Sequence, residues 1–195
     1  IRDRLSVVKG RVEERRRRVE RQRRSADVRL TEMRDREQAL ERLMDRLTAS
    51  ERLSGTDDIR RYRGALPWPA EGRIIRDFGR HYLPKYSTYT VNNGLRLDVA
   101  GGTPVTAVYP GIVAFARFFK GYGNMVVLDH GHGVYSLVAG LATIHVRLDQ
   151  KVTMGSRLGL ASPPSDEGNL YFEIRVDDQP LDPIRWLTLE EGVTR

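Results

Sequence analysis

The sequence predicts an α+β chain, with a long N-terminal α-helical coiled coil followed by a mainly antiparallel β-sheet domain. Residues 1–53 contain no proline and only one glycine, Gly10, and they are rich in Arg, Glu, Leu, Met and Ala, which favour helix. Beyond residue 71, short β-rich runs alternate with glycines, a pattern typical of antiparallel sheets. We expect a coiled-coil helix at 1–53, a short helix and linker at 54–71, a β-domain at 72–187 and a tail at 188–195.

One column of apolar residues repeats every seven positions along the predicted helix: Leu5, Val12, Val19, Ala26, Met33, Leu40 and Leu47. A sustained heptad of this kind is typical of a coiled coil. The companion column is apolar only near its ends, and it reads Val8, Arg15, Gln22, Arg29, Arg36 and Leu43. Such a helix buries too little surface to stand alone. We expect a partner helix, in another chain or upstream in this one, and a helix end near Ser54-Gly55.

The net charge of +7 lies in the predicted helix and its linker. Residues 1–63 hold 20 of the 33 Lys and Arg and 13 of the 26 Asp and Glu, so the remaining residues are neutral overall. The run Arg15-Arg16-Arg17-Arg18 invites a nucleic-acid interpretation. However, no aromatic side chain is interleaved for base stacking, and acidic residues stand at helical spacings from these arginines. We therefore expect a solvated helix face or an acidic protein partner, and no nucleic acid.

The β-domain is predicted from seven strands and the glycines between them. The strands are expected at 73–77, 95–99, 104–108, 111–119, 125–129, 133–138 and 170–176. A loop is expected at 81–91, where Tyr82, Tyr86 and Tyr89 could contact a partner or cover the sheet. Of Phe118 and Phe119, strand alternation places one in the core.

Composition excludes several classes of protein. The chain has no cysteine, which rules out a disulfide scaffold, a cysteine zinc site and a thiol nucleophile. The sequence contains no run of about 18 apolar residues, so no membrane-spanning helix is predicted. The first residues are charged, so we expect any export signal to have been removed before this numbering begins.

Several short motifs between residues 66 and 187 resemble the LytM-type, or lysostaphin-like, zinc metallopeptidases, which cut peptidoglycan cross-bridges. Their order and spacing together carry the resemblance. The motifs are Gly72-Arg73-Ile74-Ile75, Phe78-Gly79, Gly94-Leu95, Gly102-Thr103-Pro104-Val105, Gly111-Ile112-Val113, Gly121-Tyr122-Gly123-Asn124, Asp129-His130-Gly131, Phe172-Glu173-Ile174-Arg175 and Asp182-Pro183.

The resemblance also implies where zinc ligands would stand, and none is present there. The family's His-x-Gly-x-Asp stretch aligns with Asn92 to Arg96, which places Asn92 and Arg96 at the two ligand positions. Its His-x-His pair aligns with Asn169 and Tyr171, and a further catalytic His would fall near Gly140. A guanidinium is always protonated in proteins and repels zinc. We therefore predict no family-type zinc site, no other cofactor and no catalysis.

The chain resembles the EnvC-like amidase activators, which pair an inactive LytM domain with a coiled coil. The basic helix, the Pro67-Trp68-Pro69 segment, the strand at 170–176 and the end at 182–187 carry this likeness. It implies a periplasmic activator of peptidoglycan amidases in cell division. By the same resemblance the coiled coil would receive a signal from an FtsEX-type membrane complex. The amidase would dock in the former zinc groove, which we expect to be lined by Asn92, Asn93, Arg96, Tyr122, Asn169, Tyr171 and Arg175.

Three alternatives remain open from the sequence. One is a peptidoglycan endopeptidase whose non-standard zinc site uses His130, His132 or Asp98, of which Asp98 lies two residues from Arg96 and so on the same strand face. The second is a module that binds peptidoglycan and regulates nothing. The third is a nucleic-acid-binding coiled coil.

Overall fold

The structure is a computed structural model, and it describes residues 2–48, 57–83, 88–165 and 168–188, with side chains from residue 11 onward. A single helix, α1 (Arg2–Thr48), forms the N-terminal part and is roughly 70 Å long at 1.5 Å per residue. A 3-10 helix (Ile59–Tyr62) follows, with Asp58 as its N-cap. No helix in the described part of the chain is long and apolar enough to cross a bilayer.

Twelve strands are found among the described residues. They are β1 (Arg73–Arg76), β2 (Gly79–Leu83), β3 (Thr88–Asn92), β4 (Leu95–Asp98), β5 (Pro104–Thr106), β6 (Gly111–Phe119), β7 (Gly123–Asp129), β8 (Val134–Ile144), β9 (Lys151–Val152), β10 (Arg157–Ala161), β11 (Leu170–Val176) and β12 (Gln179–Leu181). A second 3-10 helix (Pro183–Arg185) follows β12.

Ten of these strands form one antiparallel sheet. Its main path runs β1-β4-β11-β8-β7-β6-β9, while β10 pairs with β5 and β8, and β12 pairs with β11. The strands β2 and β3 form a separate hairpin, in which Tyr82 pairs with Tyr89. This hairpin replaces most of the loop expected at 81–91. The side chains of Tyr82 and Tyr89 share its exposed face, whereas Tyr86 lies outside the described residues.

Both faces of the central strands are apolar, because the sheet separates two cores. On β11, Leu170, Phe172 and Ile174 join the larger core, which also holds Leu97 and Trp186. The alternate residue Tyr171 points to the opposite face. Since side chains alternate along a strand, each core receives every second residue of β7, β8 and β11.

The second core lies between the sheet and the last turns of α1. Leu40, Leu43, Met44 and Leu47 pack there against side chains of β6, β7, β8 and β11. These positions follow the i, i+3, i+4, i+7 spacing of one helix face. Burying each side chain contributes roughly 1.5–3 kcal/mol. The C-terminal part of the helix is therefore held on the sheet by a substantial apolar contact.

This packing changes the interpretation of the heptad column. Leu40 and Leu47 contact the sheet of the same chain and not another helix. Further toward the N-terminus, Val12 and Val19 of the column are exposed, at 60% and 55%, whereas Ala26 is buried. No second helix pairs with α1 within the described residues, so a coiled coil toward the N-terminus remains a prediction. The expected helix end at Ser54-Gly55 lies outside the described residues.

Candidate functional site

The face of the sheet beneath α1 holds several of the residues predicted to line the groove. Glu37 of α1 accepts hydrogen bonds from Asn93 Nδ2 at 3.1 Å and from the Tyr122 hydroxyl at 3.0 Å. Arg36 donates to the carbonyl of Gly121 at 3.3 Å, and its guanidinium lies 5.1 Å from the centre of the Tyr122 ring. Helix α1 thus covers this face through polar contacts as well as apolar ones.

Two tyrosines form the floor of the covered face. The rings of Tyr122 and Tyr171 lie 5.3 Å apart, and Arg96 stands over Tyr171 at 5.4 Å. Burial raises the pKa of both phenols, with Glu37 adding to the effect at Tyr122 and Glu173 at Tyr171. Both hydroxyls therefore stay protonated and act as donors. The floor combines flat apolar rings with polar edges, which suits a peptide partner.

A fully buried ion pair lies next to this floor. Glu173 accepts from the Tyr171 hydroxyl at 2.7 Å and from Arg175 Nη1 at 2.9 Å. Arg175 also donates from Nη2 to the carbonyl of Asp178 at 2.9 Å. Burial raises the pKa of Glu173 to about 7, against the opposing effects of Arg175 and Tyr171. Arg175 is thus engaged inside the sheet, where it orients Glu173 and, through it, Tyr171.

The raised pKa of Glu173 predicts a specific pH dependence of stability. Because the pKa is about 7 in the folded chain against an ordinary 4.5, the folded state holds this proton more tightly than the unfolded state. Protonated Glu173 therefore stabilises the folded state; this contribution to the free energy of unfolding is complete below about pH 4.5 and is lost as the pH rises to about 7. Relative to Glu173→Gln, wild type should lose up to about 3 kcal/mol of unfolding free energy across that window.

Urea unfolding of both proteins at pH values from about 4.5 to 8 measures this difference. Glu41→Gln, which changes an exposed carboxylate on α1, serves as the matched control and should follow wild type. Parallel pH profiles for wild type and Glu173→Gln would contradict the assignment.

Two of the predicted groove residues instead bind the backbone around them. Asn92 is buried, and its Nδ2 donates to the carbonyls of Asp77 at 2.7 Å and Gly94 at 2.6 Å. Asn169 accepts from the backbone N–H of Val99 at 2.9 Å and donates to the carbonyl of Val99 at 2.8 Å. The amides of both residues therefore hold neighbouring segments together.

His130, the histidine of the alternative zinc site, also uses both ring nitrogens in hydrogen bonds within the fold. His130 is fully buried, with Nδ1 2.8 Å from the carbonyl of Pro110 and Nε2 2.7 Å from the Ser136 hydroxyl. Since a carbonyl only accepts, Nδ1 carries the proton and Nε2 accepts from Ser136. Burial lowers the pKa of His130 to about 4, so the ring is neutral. Asp98, the acidic candidate for that site, forms an ion pair with Arg73, with 3.7 Å between its Oδ2 and Nη2 of Arg73.

The residues present do not fit the zinc ion of the resembled metallopeptidases. The two positions expected for the first ligands hold Asn92, whose amide is bonded to carbonyls, and the cation Arg96. Tyr171 points its hydroxyl at Glu173. Across the described residues no group of three His, Asp or Glu is placed to hold a metal.

The structure thus brings together four of the seven predicted residues under α1: Asn93, Arg96, Tyr122 and Tyr171. It also adds Arg36 and Glu37, which the sequence analysis did not assign to the groove. The sequence did contain a pointer to them. At the end of α1 the apolar positions Leu40, Leu43, Met44 and Leu47 form a stripe wider than a strict coiled-coil seam, and Arg36 and Glu37 immediately precede it.

Comparisons with a family model and with known proteins point to the same family. Residues 90–183 match Peptidase family M23. The chain is 30% identical over 137 residues to the murein hydrolase activator EnvC of Escherichia coli, covering 69% of this chain and 32% of that protein. It is 33% identical over 130 residues to the cell division protein DipM of Caulobacter vibrioides, covering 62% of this chain and 20% of that protein.

A solved structure shows the same fold. The crystal structure of a zinc-containing peptidase from Vibrio cholerae superimposes with a TM-score of 0.56 at 24% identity, covering 63% of this chain and 40% of that one. This likeness concerns the fold alone. The chain spans no more than about a third of the length of the two curated relatives.

Proposed function

We propose that this chain, whose residues 90–183 form a Peptidase M23 domain, is a non-enzymatic activator of peptidoglycan N-acetylmuramyl-L-alanine amidases in cell division. The amidase binds through the face of the sheet that α1 covers. The names of two relatives, a murein hydrolase activator and a cell division protein, support the role. The lack of fit to zinc supports a binding function over hydrolysis.

The way α1 lies on the sheet is the observation that carries the proposal. This face holds an amphipathic helix through four apolar side chains, and Glu37 adds two polar contacts with Asn93 and Tyr122. A surface that binds one amphipathic helix in this manner has the shape and chemistry to bind another. The partner's helix therefore competes with α1 for the same tyrosine floor.

Competition with α1 makes the activator conditional. While α1 lies on the sheet, the partner meets only the small fraction of molecules in which the helix has moved away, so its apparent affinity is reduced by that fraction. Residues 11–25 of α1, which are exposed and rich in arginine, are the part accessible to a signal. By resemblance, the chain lies in the periplasm of a Gram-negative envelope, and the signal comes from an FtsEX-type membrane complex.

The test measures product release from purified sacculi by the chain alone, by an amidase from the same organism, and by both together. The chain alone should release no fragments, and at a concentration well below saturation it should raise amidase turnover at least about twofold, a rise limited by the covered state. Cross-bridge fragments released by the chain alone would favour the endopeptidase. Binding to sacculi without any change in amidase turnover would favour a simple peptidoglycan-binding module.

A further inference from the structure

Arg96, at the edge of the covered face, lies close to two further arginines, Arg76 and Arg36. Arg96 on β4 stands directly opposite Arg76 on β1 in the antiparallel register. On its other side Arg96 is paired with Tyr171 of β11. Arg36 reaches the same place from α1, since its guanidinium lies over Tyr122, whose ring adjoins that of Tyr171. Residues directly opposite in a sheet point to the same face.

None of the three guanidiniums forms an ion pair within the described residues. Glu37 and Glu173, the carboxylates that accept from the two tyrosines of this face, are already engaged. The two oxygens of Glu37 accept from Tyr122 and Asn93, and those of Glu173 accept from Tyr171 and Arg175. In addition, Nε of Arg36 is buried and has no hydrogen-bond partner. A donor left unsatisfied in this way costs free energy.

Positive charges placed this close together are unfavourable unless an anion neutralises them. Like charges directly opposite on adjacent strands destabilise a sheet. Burial, and next the charge of Arg36, lower the pKa of Arg96, yet a guanidinium remains protonated in proteins. The chain therefore keeps a concentrated positive charge at a half-buried position, with forked N–H donors suited to an oxyanion.

We propose that Arg36, Arg76 and Arg96 together bind one oxyanion, a carboxylate or a phosphate group, at the junction of α1 and the sheet. A cleft of about 720 Å³ opens beside Arg36, between α1 and the turn at Lys120 and Gly121, and it is also lined by Arg29, Glu32 and Asp35. The anion contacts α1 through Arg36 and the sheet through Arg76 and Arg96. It therefore also strengthens the contact between helix and sheet.

The experiment compares thermal unfolding of the full chain in sodium chloride, sodium acetate and sodium phosphate at equal ionic strength. In about 50 mM phosphate we expect the midpoint to rise by about 3 °C over chloride, the shift for a ligand at roughly ten times its dissociation constant. A rise in acetate as well identifies a carboxylate site, and a rise in phosphate alone identifies a phosphate site. No rise with either anion would overturn the proposal.

Variants separate this site from general effects of the anions. Arg96→Met and Arg36→Met should each abolish the rise, while Arg34→Met, which removes an exposed charge two residues away on α1, should keep it. If Arg96→Met does not fold, Arg36→Met still decides the question. An equal rise in the Arg36, Arg96 and Arg34 variants would refute the site. The assay contains no amidase, so its outcome is independent of the proposed function.

Discussion

The Leu40→Asp/Met44→Asp double variant is expected to release α1 from the sheet while the β-domain stays folded. Both side chains are 0% exposed beneath the helix. Replacing them removes roughly 2–5 kcal/mol of packing each and would bury two carboxylates without partners. This exceeds the contribution of the remaining contacts, so the equilibrium should favour the open state. The larger core, which contains Leu97, Phe172 and Trp186, is not touched by these changes.

The release can be measured as a distance. Because the chain has no cysteine, spin labels can be placed uniquely at Arg42→Cys on α1 and Lys120→Cys in the turn that follows β6. Wild type should give one short, narrow distance distribution, and the double variant a long, broad one. Val12→Asp/Val19→Asp makes the same change at exposed positions of the same helix column and should keep the short distance. A narrow distribution in the double variant would show that other contacts hold the helix.

Gly140→Ala is expected to destabilise the β-domain by about 4 kcal/mol or more, equivalent to a fall of roughly 8–16 °C in the thermal midpoint. Gly140 has a φ of +87°, and an added Cβ would overlap the carbonyl oxygen of Asn169 on the neighbouring segment. The backbone N–H of Asn169 donates to the carbonyl of Leu97, and its side-chain amide is bonded to Val99, so this segment cannot move away cheaply. Thermal unfolding followed by circular dichroism measures the effect.

Gly102→Ala provides the matched control. Gly102 has a similar φ of +81°, but no atom lies within 4 Å of its added Cβ. Only the backbone preference is tested there, so the cost should be about 1–2 kcal/mol. Equal losses in the two variants would show that φ and not the close approach sets the cost. The same overlap explains why no histidine side chain fits at Gly140 in this backbone.

Much of the β-domain could be predicted from the sequence because its strands are bounded by glycines. The strands at 111–119 and 170–176 were predicted with the bounds that the structure gives. The hairpin of β2 and β3 was missed because its exposed tyrosines resemble a surface loop. Pairing of Tyr82 with Tyr89 is a cross-strand contact that no local pattern specifies.

The groove was predictable only in part. Resemblance to a zinc peptidase located Arg96 and Tyr171, since the family motif fixes their register. It did not indicate that α1 of the same chain covers them. The heptad column predicts that Leu40 and Leu47 need an apolar partner, but a sheet satisfies that need as well as a helix does. Whether the helix packs on a sheet or on another helix depends on contacts between residues more than 80 positions apart in the sequence, such as that between Arg36 and Gly121.

The most direct test of the account repeats the amidase assay on sacculi with three proteins: wild type, Leu40→Asp/Met44→Asp, and the same double variant carrying Tyr171→Ala. If α1 and the amidase compete for the tyrosine floor, then at equal concentrations well below saturation the released chain should stimulate turnover on the order of tenfold more than wild type. Tyr171→Ala should return it to the level of the amidase alone. Equal stimulation by wild type and the released chain, or full stimulation without Tyr171, would contradict the claim.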